Sequence, residues 1–356
     1  MTFHSLPISM TRTALLIIGL FFFLPPTTVS AQTNAGDLRL VTSPLPINLI
    51  VEPGKSISTA LRIQNQGTNP ENLKLTVMKF RAYGEEGAPR LLDPEPTDDF
   101  ISWVRFSEDS FTVNTNEWKT ITATFDVPDT AAFGYYYAFV FSRAVEQTSG
   151  EQGETVLAGG TAILVLLEAR VPNAKREVTI AQFKSDRAWY EFLPASFTVN
   201  LQNTGNVHIA PRGNLFIGRE GEKEETRLEV NREKGNILPD SGRSFRVDWN
   251  DGFLRYKNKE EDGKIVHDEN GDIVKVLDWN WKDASKIRFG KYEAKLLLVY
   301  DDGHRDVPLD RVVSFWVVPW RLIGGSFFIV LLALMGLKST LQHLWHTVFG
   351  TKKRID

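Results

Sequence analysis

Along most of the chain, apolar and polar residues alternate one by one. The segments "SISTALRIQNQG" (56–67), "ENLKLTVMKFRAYG" (71–84) and "SFTVNTNEWKTITATFDVP" (110–128) place apolar side chains at about every second position, and "GTAILVLLEARV" (160–171) is continuously apolar at its centre. A period of two sends successive side chains to opposite faces of an extended backbone, so these segments predict β-strands with one or both faces buried. Gly, Pro and Asn punctuate them, and no segment between residues 32 and 320 sustains a helical period. Short strands separated by turn residues predict an all-β protein built of antiparallel sandwiches.

The alternation stops at both ends. Near the start, Arg12 precedes the apolar run "ALLIIGLFFFL" (14–24), Pro25 and Pro26 break it, and the small residues of "VSA" (29–31) follow, a pattern that predicts a signal peptide over residues 1–31 with Gln32 as the mature start. Near the other end, "LIGGSFFIVLLALMGL" (322–337) carries no charge over 16 residues. Trp320 and Arg321 extend it at the headgroup level, which predicts a transmembrane helix over 320–338. Lys338, Lys352, Lys353 and Arg354 make the 339–356 tail basic and place it in the cytoplasm under the positive-inside bias. The expected topology is a single-pass cell-membrane protein with residues 32–319 outside.

Self-comparison divides that exterior in two. "LRIQNQG" (61–67) matches "VNLQNTG" (199–205), each an alternating strand that ends in a Gln-Asn-x-Gly turn, and "FGYYYAFV" (133–140) matches "FGKYEAKL" (289–296) in the same order. Domain 1 is expected over 32–172 and domain 2 over 173–319, with the boundary where Pro172 ends a strand and charge returns. Gly134 lies 67 residues after Gly67 and Gly290 lies 85 after Gly205, so the second copy is longer by 18. An inserted β-hairpin over 260–281, turning at Asn270-Gly271, accounts for the excess.

The matched strand raises a question about faces. Aligned on Phe-Gly, Tyr136, Ala138 and Val140 correspond to Tyr292, Ala294 and Leu296 and are expected to form the core face. The opposite face is then Lys291, Glu293 and Lys295 in the second domain, but Tyr135, Tyr137, Phe139 and Phe141 in the first. Four aromatics in line either lie under another part of the same chain or form a platform for a ligand or partner. In the hairpin, Ile273, Leu277, Trp279 and Trp281 share one face and Val274 and Val276 the other, so the hairpin is expected to pack on domain 2, extend its sheet and offer Trp279 and Trp281 as a second binding surface.

Composition narrows the chemistry. The 356 residues include no cysteine, which removes disulfides, thiolate nucleophiles and cysteine-ligated metals. The net charge of −3 becomes more negative once the terminal segments are set aside, because Arg12, Arg321, Lys338, Lys352, Lys353 and Arg354 leave with them and Asp356 is the only acid to go. An acidic exterior is a poor match for nucleic acid or for anionic lipid. His208, His267 and His304 are isolated in sequence, and no hydrolase, phosphate-loop or dinucleotide motif is present. "DPEPTDD" (93–99) and "DWNDG" (248–252) gather carboxylates that could hold calcium, and "DENGD" (268–272) begins like a calcium loop but has Ile273 where the turn glycine belongs, so solvated turns are the favoured reading of all three; "HLWH" (343–346) reads as an interfacial stretch beside the membrane. The expectation is a non-enzymatic protein without metal or cofactor.

"PLPINLIVEPGKSISTALRIQNQG" (44–67), "VPDTAAFGYYYAFVFS" (127–142) and "FTVNLQNTGNVHIAPRGNLFIGREGEKEETRLEVNREKGNILPDSGRSFRVDW" (197–249) resemble the WxL-interacting cell-surface proteins of bacteria, over nearly the whole mature chain. The resemblance implies two tandem immunoglobulin-like β-sandwich domains on a C-terminal transmembrane helix, the first binding peptidoglycan and the second host or partner proteins. It leads to the expectation of a surface adhesion or binding protein that engages cell-wall glycan or another exported protein. The alternative is a chaperone-like assembly module that completes an exported partner's sheet by β-augmentation.

Overall fold

A computed structural model describes residues 38–144, 160–222 and 224–349. The leader expected over 1–31 and the last residues of the basic tail lie outside the described residues. Strands form where the alternation calls for them, and they assemble into two successive β-sandwiches followed by one long helix.

In the first sandwich, one sheet joins β1 (Leu40–Ser43), β3 (Ser56–Asn65), β8 (Trp118–Asp126) and β6 (Val104–Phe106) in that order. The facing sheet runs β2 (Ile47–Val51), β10 (Thr161–Ala169), β9 (Phe133–Arg143), β4 (Glu71–Tyr83) and β5 (Ala88–Leu92), with β7 (Ser110–Val113) pairing the start of β4. The second sandwich repeats the plan. One sheet is β11 (Val178–Ser185), β13 (Ala195–Asn203) and β16 (Gly242–Trp249), and the other is β12 (Trp189–Tyr190), β22 (Asp306–Val317), β21 (Gly290–Asp301), β14 (Arg212–Arg219) and β15 (Glu224–Val230). In each domain the opening strand is shared between the sheets: β1 and β11 pair antiparallel in the first, and β2 and β12 then run parallel beside the domain's last strand. This is an immunoglobulin-like arrangement.

The internal repeat holds at the level of single hydrogen bonds. Asn65 is fully buried; its Nδ2 donates to the carbonyls of Asn69 and Val113, and its Oδ1 accepts from Gly67 N–H. Asn203 is equally buried, donates to the carbonyls of Val207 and Ile237, and accepts from Gly205 N–H. One side chain in each domain therefore satisfies a turn and a neighbouring strand that would otherwise bury unpaired backbone groups.

The other half of the repeat is shifted by one residue. The residue with positive φ that opens the strand is Phe133 (69°) in β9 and Gly290 (117°) in β21. These two residues also occupy the same place in the ladder, Phe133 opposite Ala169 at the end of β10 and Gly290 opposite Val317 at the end of β22. Phe133 thus matches Gly290, and Tyr135, Tyr137, Phe139 and Phe141 match Tyr292, Ala294, Leu296 and Leu298. A slip of one residue exchanges the two faces of a strand.

The second domain's excess is also a net figure. Between β16 and β21 the chain makes an excursion over residues 250–289, where the first domain links β8 to β9 with residues 127–132 alone; the first domain in turn carries β6 and β7 between β5 and β8. The excursion holds two nested pairings: β17 (Leu254–Asn258) with β20 (Lys275–Trp279), and inside it β18 (Glu260–Glu261) with β19 (Lys264–Ile265). Asp262 and Gly263, both at positive φ, turn the inner pair, and Asn270-Gly271 lies on a second loop. Pairing begins at Leu254 rather than at 260, and β17 and β20 form a separate two-stranded sheet rather than extending the domain's own, to which a single bridge from Leu193 to Arg255 ties them.

The helix α1 (Trp320–Phe349) continues past Lys338, so much of the expected tail is helical. Its span from Trp320 to Trp345 is 26 residues long and apolar enough to cross a membrane; at ~1.5 Å per residue it exceeds a hydrocarbon core of about 30 Å.

Candidate functional site

The aromatic stripe of β9 is interior. Tyr137, Phe139 and Phe141 are fully buried in the first sandwich, and Tyr135 packs against the same core. The facing sheet and its approach supply three partners, Trp103 meeting Tyr135 (ring centroids 4.6 Å), Phe125 meeting Tyr137 (5.2 Å) and Phe106 meeting Phe139 (5.0 Å), and Phe111 of β7 meets Phe141 (6.3 Å), all edge to face. The Tyr137 hydroxyl donates to the Phe100 carbonyl (3.0 Å), and the Tyr135 hydroxyl accepts from Ala132 N–H. Burial raises the Tyr137 pKa. These four residues are therefore core, not a binding platform, because the slip in register had assigned them to the wrong face.

The face expected to be core is the outward one, and it too is apolar. Met78, Phe80, Ala138, Val140 and Leu166 form a second buried cluster on the outside of the sheet, closed by Leu238 of the second domain. Tyr136 lies edge to face against Phe80 and against His208, which domain 2 contributes (5.8 Å). Burial pushes the His208 pKa down to about 4, with Arg176 adding repulsion, and burial followed by the Glu168 charge raises that of Tyr136. Glu168 is itself buried and pairs with Arg176 of the interdomain linker. The first domain thus has a core on each side of one sheet, which is why β9 and β10 read as apolar on both faces.

Beside this contact the two domains leave a cleft of about 1020 Å³. Its floor is the outer face of the first domain's sheet, with Leu45, Phe80, Leu164 and Leu166; its wall is β16 with Leu228 of β15, and Arg232, Arg243, Arg246, Glu229 and Asp248 line it as well. β16 is an edge strand, with only β13 beside it in its sheet. Asn203 N–H donates to Ser241 O, so the odd-numbered residues of the strand exchange backbone hydrogen bonds with β13. Ser244 N–H points the other way and donates to Glu85 O across the domain junction (2.6 Å). By the same alternation the N–H groups of Arg246 and Asp248 face away from β13, toward the cleft. The Arg246 guanidinium is held beside Asp186 (3.1 Å) and Asp248 (3.3 Å). Sequence reading missed this site, because an edge strand cannot be told from a central one until the sheet order is known.

Trp279 and Trp281 do reach the surface. They stack on each other (6.3 Å, 19°) and each meets Phe253 edge to face, at the base of the excursion rather than at its tip. The acidic turns hold cations of the protein itself. Asp98 pairs with Lys79, and Asp251 with Lys286 and Arg288, while Asp268 accepts the N–H groups of Asn270 and Asp272. His208 is remote in sequence from the other histidines and lies in the domain contact.

No family model matches the chain, and no curated protein does. Among solved structures it is similar to the class 5 fimbriae chaperone CfaA (12% identity, 77% of this chain and 98% of that one, TM-score 0.34), the CupB2 chaperone of Pseudomonas aeruginosa (10%, 76% and 99%, 0.31) and the E. coli chaperone DraB (11%, 77% and 98%, 0.30). Likeness at this level carries no functional argument.

Proposed function

We propose that this is a single-pass membrane protein, its sandwiches outside and its C-terminus in the cytoplasm, that holds an extended segment of an exported protein in the interdomain cleft. The observation that supports this is the edge of β16, whose outward N–H groups at Arg246 and Asp248 line an apolar-floored cleft. An extended polypeptide adds to such an edge through its own backbone, and alternate side chains of that polypeptide would meet Leu164 and Leu166 on the floor. The charged groups on the wall favour a segment carrying both signs of charge. A cell-wall glycan lost its candidate platform when the β9 aromatics proved to be core, so it enters here as an outcome of the test.

Photo-crosslinking in intact cells from Phe245, a half-buried β16 residue that lines the cleft beside Arg246, tests the reading, beside the same crosslinker in an Arg246→Pro background. Proline on an edge strand removes an outward N–H without breaking the ladder to β13. Recovery of one exported polypeptide that is lost in Arg246→Pro, at an unchanged unfolding midpoint, supports it. Recovery of glycan, or of a polypeptide indifferent to the proline, overturns it.

A further inference from the structure

Five of the nine tryptophans, Trp189, Trp279, Trp281, Trp316 and Trp320, gather at the end of the second domain from which α1 departs. Trp281 is 73% exposed, Trp189 and Trp320 60%, and Trp279 47%. Trp189 lies flat on Trp316 (5.2 Å, 9°), on the rung of β12 and β22 next to the last, Tyr190–Val317, from which the chain runs into the helix. The base of the excursion is fixed at the same level. Leu254 and Ile287 line one small cavity with Val317 and Pro319, and Glu191 accepts from Tyr256 of β17 (3.1 Å) while pairing with Arg321 in the first turn of α1 (3.5 Å). Phe253, Trp279 and Trp281 are therefore tied to the start of the helix by side-chain contacts as well as by the chain.

Exposed aromatics in this number are a poor fit to water, whereas indole rings favour the headgroup region where a membrane meets water. The distal part of the excursion has the opposite character: residues 257–264, "KNKEEDGK", and 267–272, "HDENGD", are almost wholly charged or polar. One excursion thus has an aromatic base beside the helix and a hydrophilic tip away from it. We propose that the base, together with Trp189, Trp316 and Trp320, is an aromatic collar that seats on the membrane leaflet nearest the sandwiches, so that the second domain rests on the bilayer instead of swinging on a free linker. This rests on the reading of α1 as a membrane anchor. A collar at the helix entry sets the tilt of the domain, and with it the direction in which the cleft opens.

The absence of cysteine makes the test direct. Single-cysteine variants Trp281→Cys, Asn270→Cys and Leu331→Cys of the full chain, nitroxide-labelled and placed in nanodiscs of phosphatidylcholine with phosphatidylglycerol, are compared for collision with oxygen and with a water-soluble nickel complex. The collar predicts that position 281 favours oxygen, as position 331 does, while position 270 favours nickel. Nickel access at 281 equal to that at 270, with 331 in lipid, overturns the collar and leaves the anchor standing. Low access to both reagents at 281 means that protein covers it and also overturns the collar. Nickel access at 331 overturns the anchor, and the collar with it.

Discussion

Asn65 and Asn203 show most clearly how one residue carries a domain. Each ties a tight turn to a neighbouring strand through three hydrogen bonds in a dry environment, and a buried backbone group left without its partner costs about 1–3 kcal/mol. Replacing either by Ala is expected to destabilise its domain by roughly 3 kcal/mol or more, read as a fall in the denaturant midpoint. The Gln-Asn-x-Gly repeat was legible in sequence because the turn, the amide and the preceding strand travel together. The faces of β9 were not, because Phe-Gly recurs one residue out of step with the positive-φ position and nothing local reveals it. Phe139→Ala is expected to cost about 3–5 kcal/mol, as truncation of a buried aromatic does, and a platform residue would cost little. His208 gives a pH signature. Its folded pKa of about 4 lies below the ordinary 6.5, so the unfolded chain takes up the proton first as the pH falls. The stability tied to neutral His208 is complete above about 6.5 and is lost progressively between 6.5 and 4, by roughly 1–3 kcal/mol. His208→Gln should flatten that stretch of the curve of midpoint against pH, and an unaltered slope would show that the histidine is not kept neutral by the domain contact.

Among the elements, the 250–289 excursion was half legible. The Asn-Gly turn and the face shared by Leu277, Trp279 and Trp281 came from sequence. The inner Asp262-Gly263 turn and the start of pairing at Leu254 did not, because the charged run between them hides the alternation on which strand assignment rests. Its outer part makes exposed ion pairs such as Lys259–Glu261, which contribute little. Replacing residues 259–274 by a two-residue turn is therefore expected to leave the unfolding midpoint within about 2 °C of the parent, a change of about 1 kcal/mol or less in a protein of this size. A larger loss in differential scanning calorimetry would mean that the tip packs on the domain.

For the whole molecule, the decisive feature is a sheet with a core on each side. The outer face of the first domain's sheet is buried by Leu238, next to the Glu168–Arg176 pair and the Tyr136–His208 contact. Two domains joined in this way should unfold together, and Leu238→Asp, which places a charge in that cluster, should split one calorimetric transition into two. The same junction places the edge of β16 over the apolar floor of the cleft. Single-residue amide exchange reads that edge directly. The full chain in nanodiscs is compared with and without the polypeptide captured from Phe245, using fragmentation that resolves individual amides. Strand addition predicts slower exchange at Arg246 and Asp248 on binding, with Phe245 and Val247 unchanged because they already donate to β13. Protection spread without that alternation, or confined to the hairpin base, would contradict it.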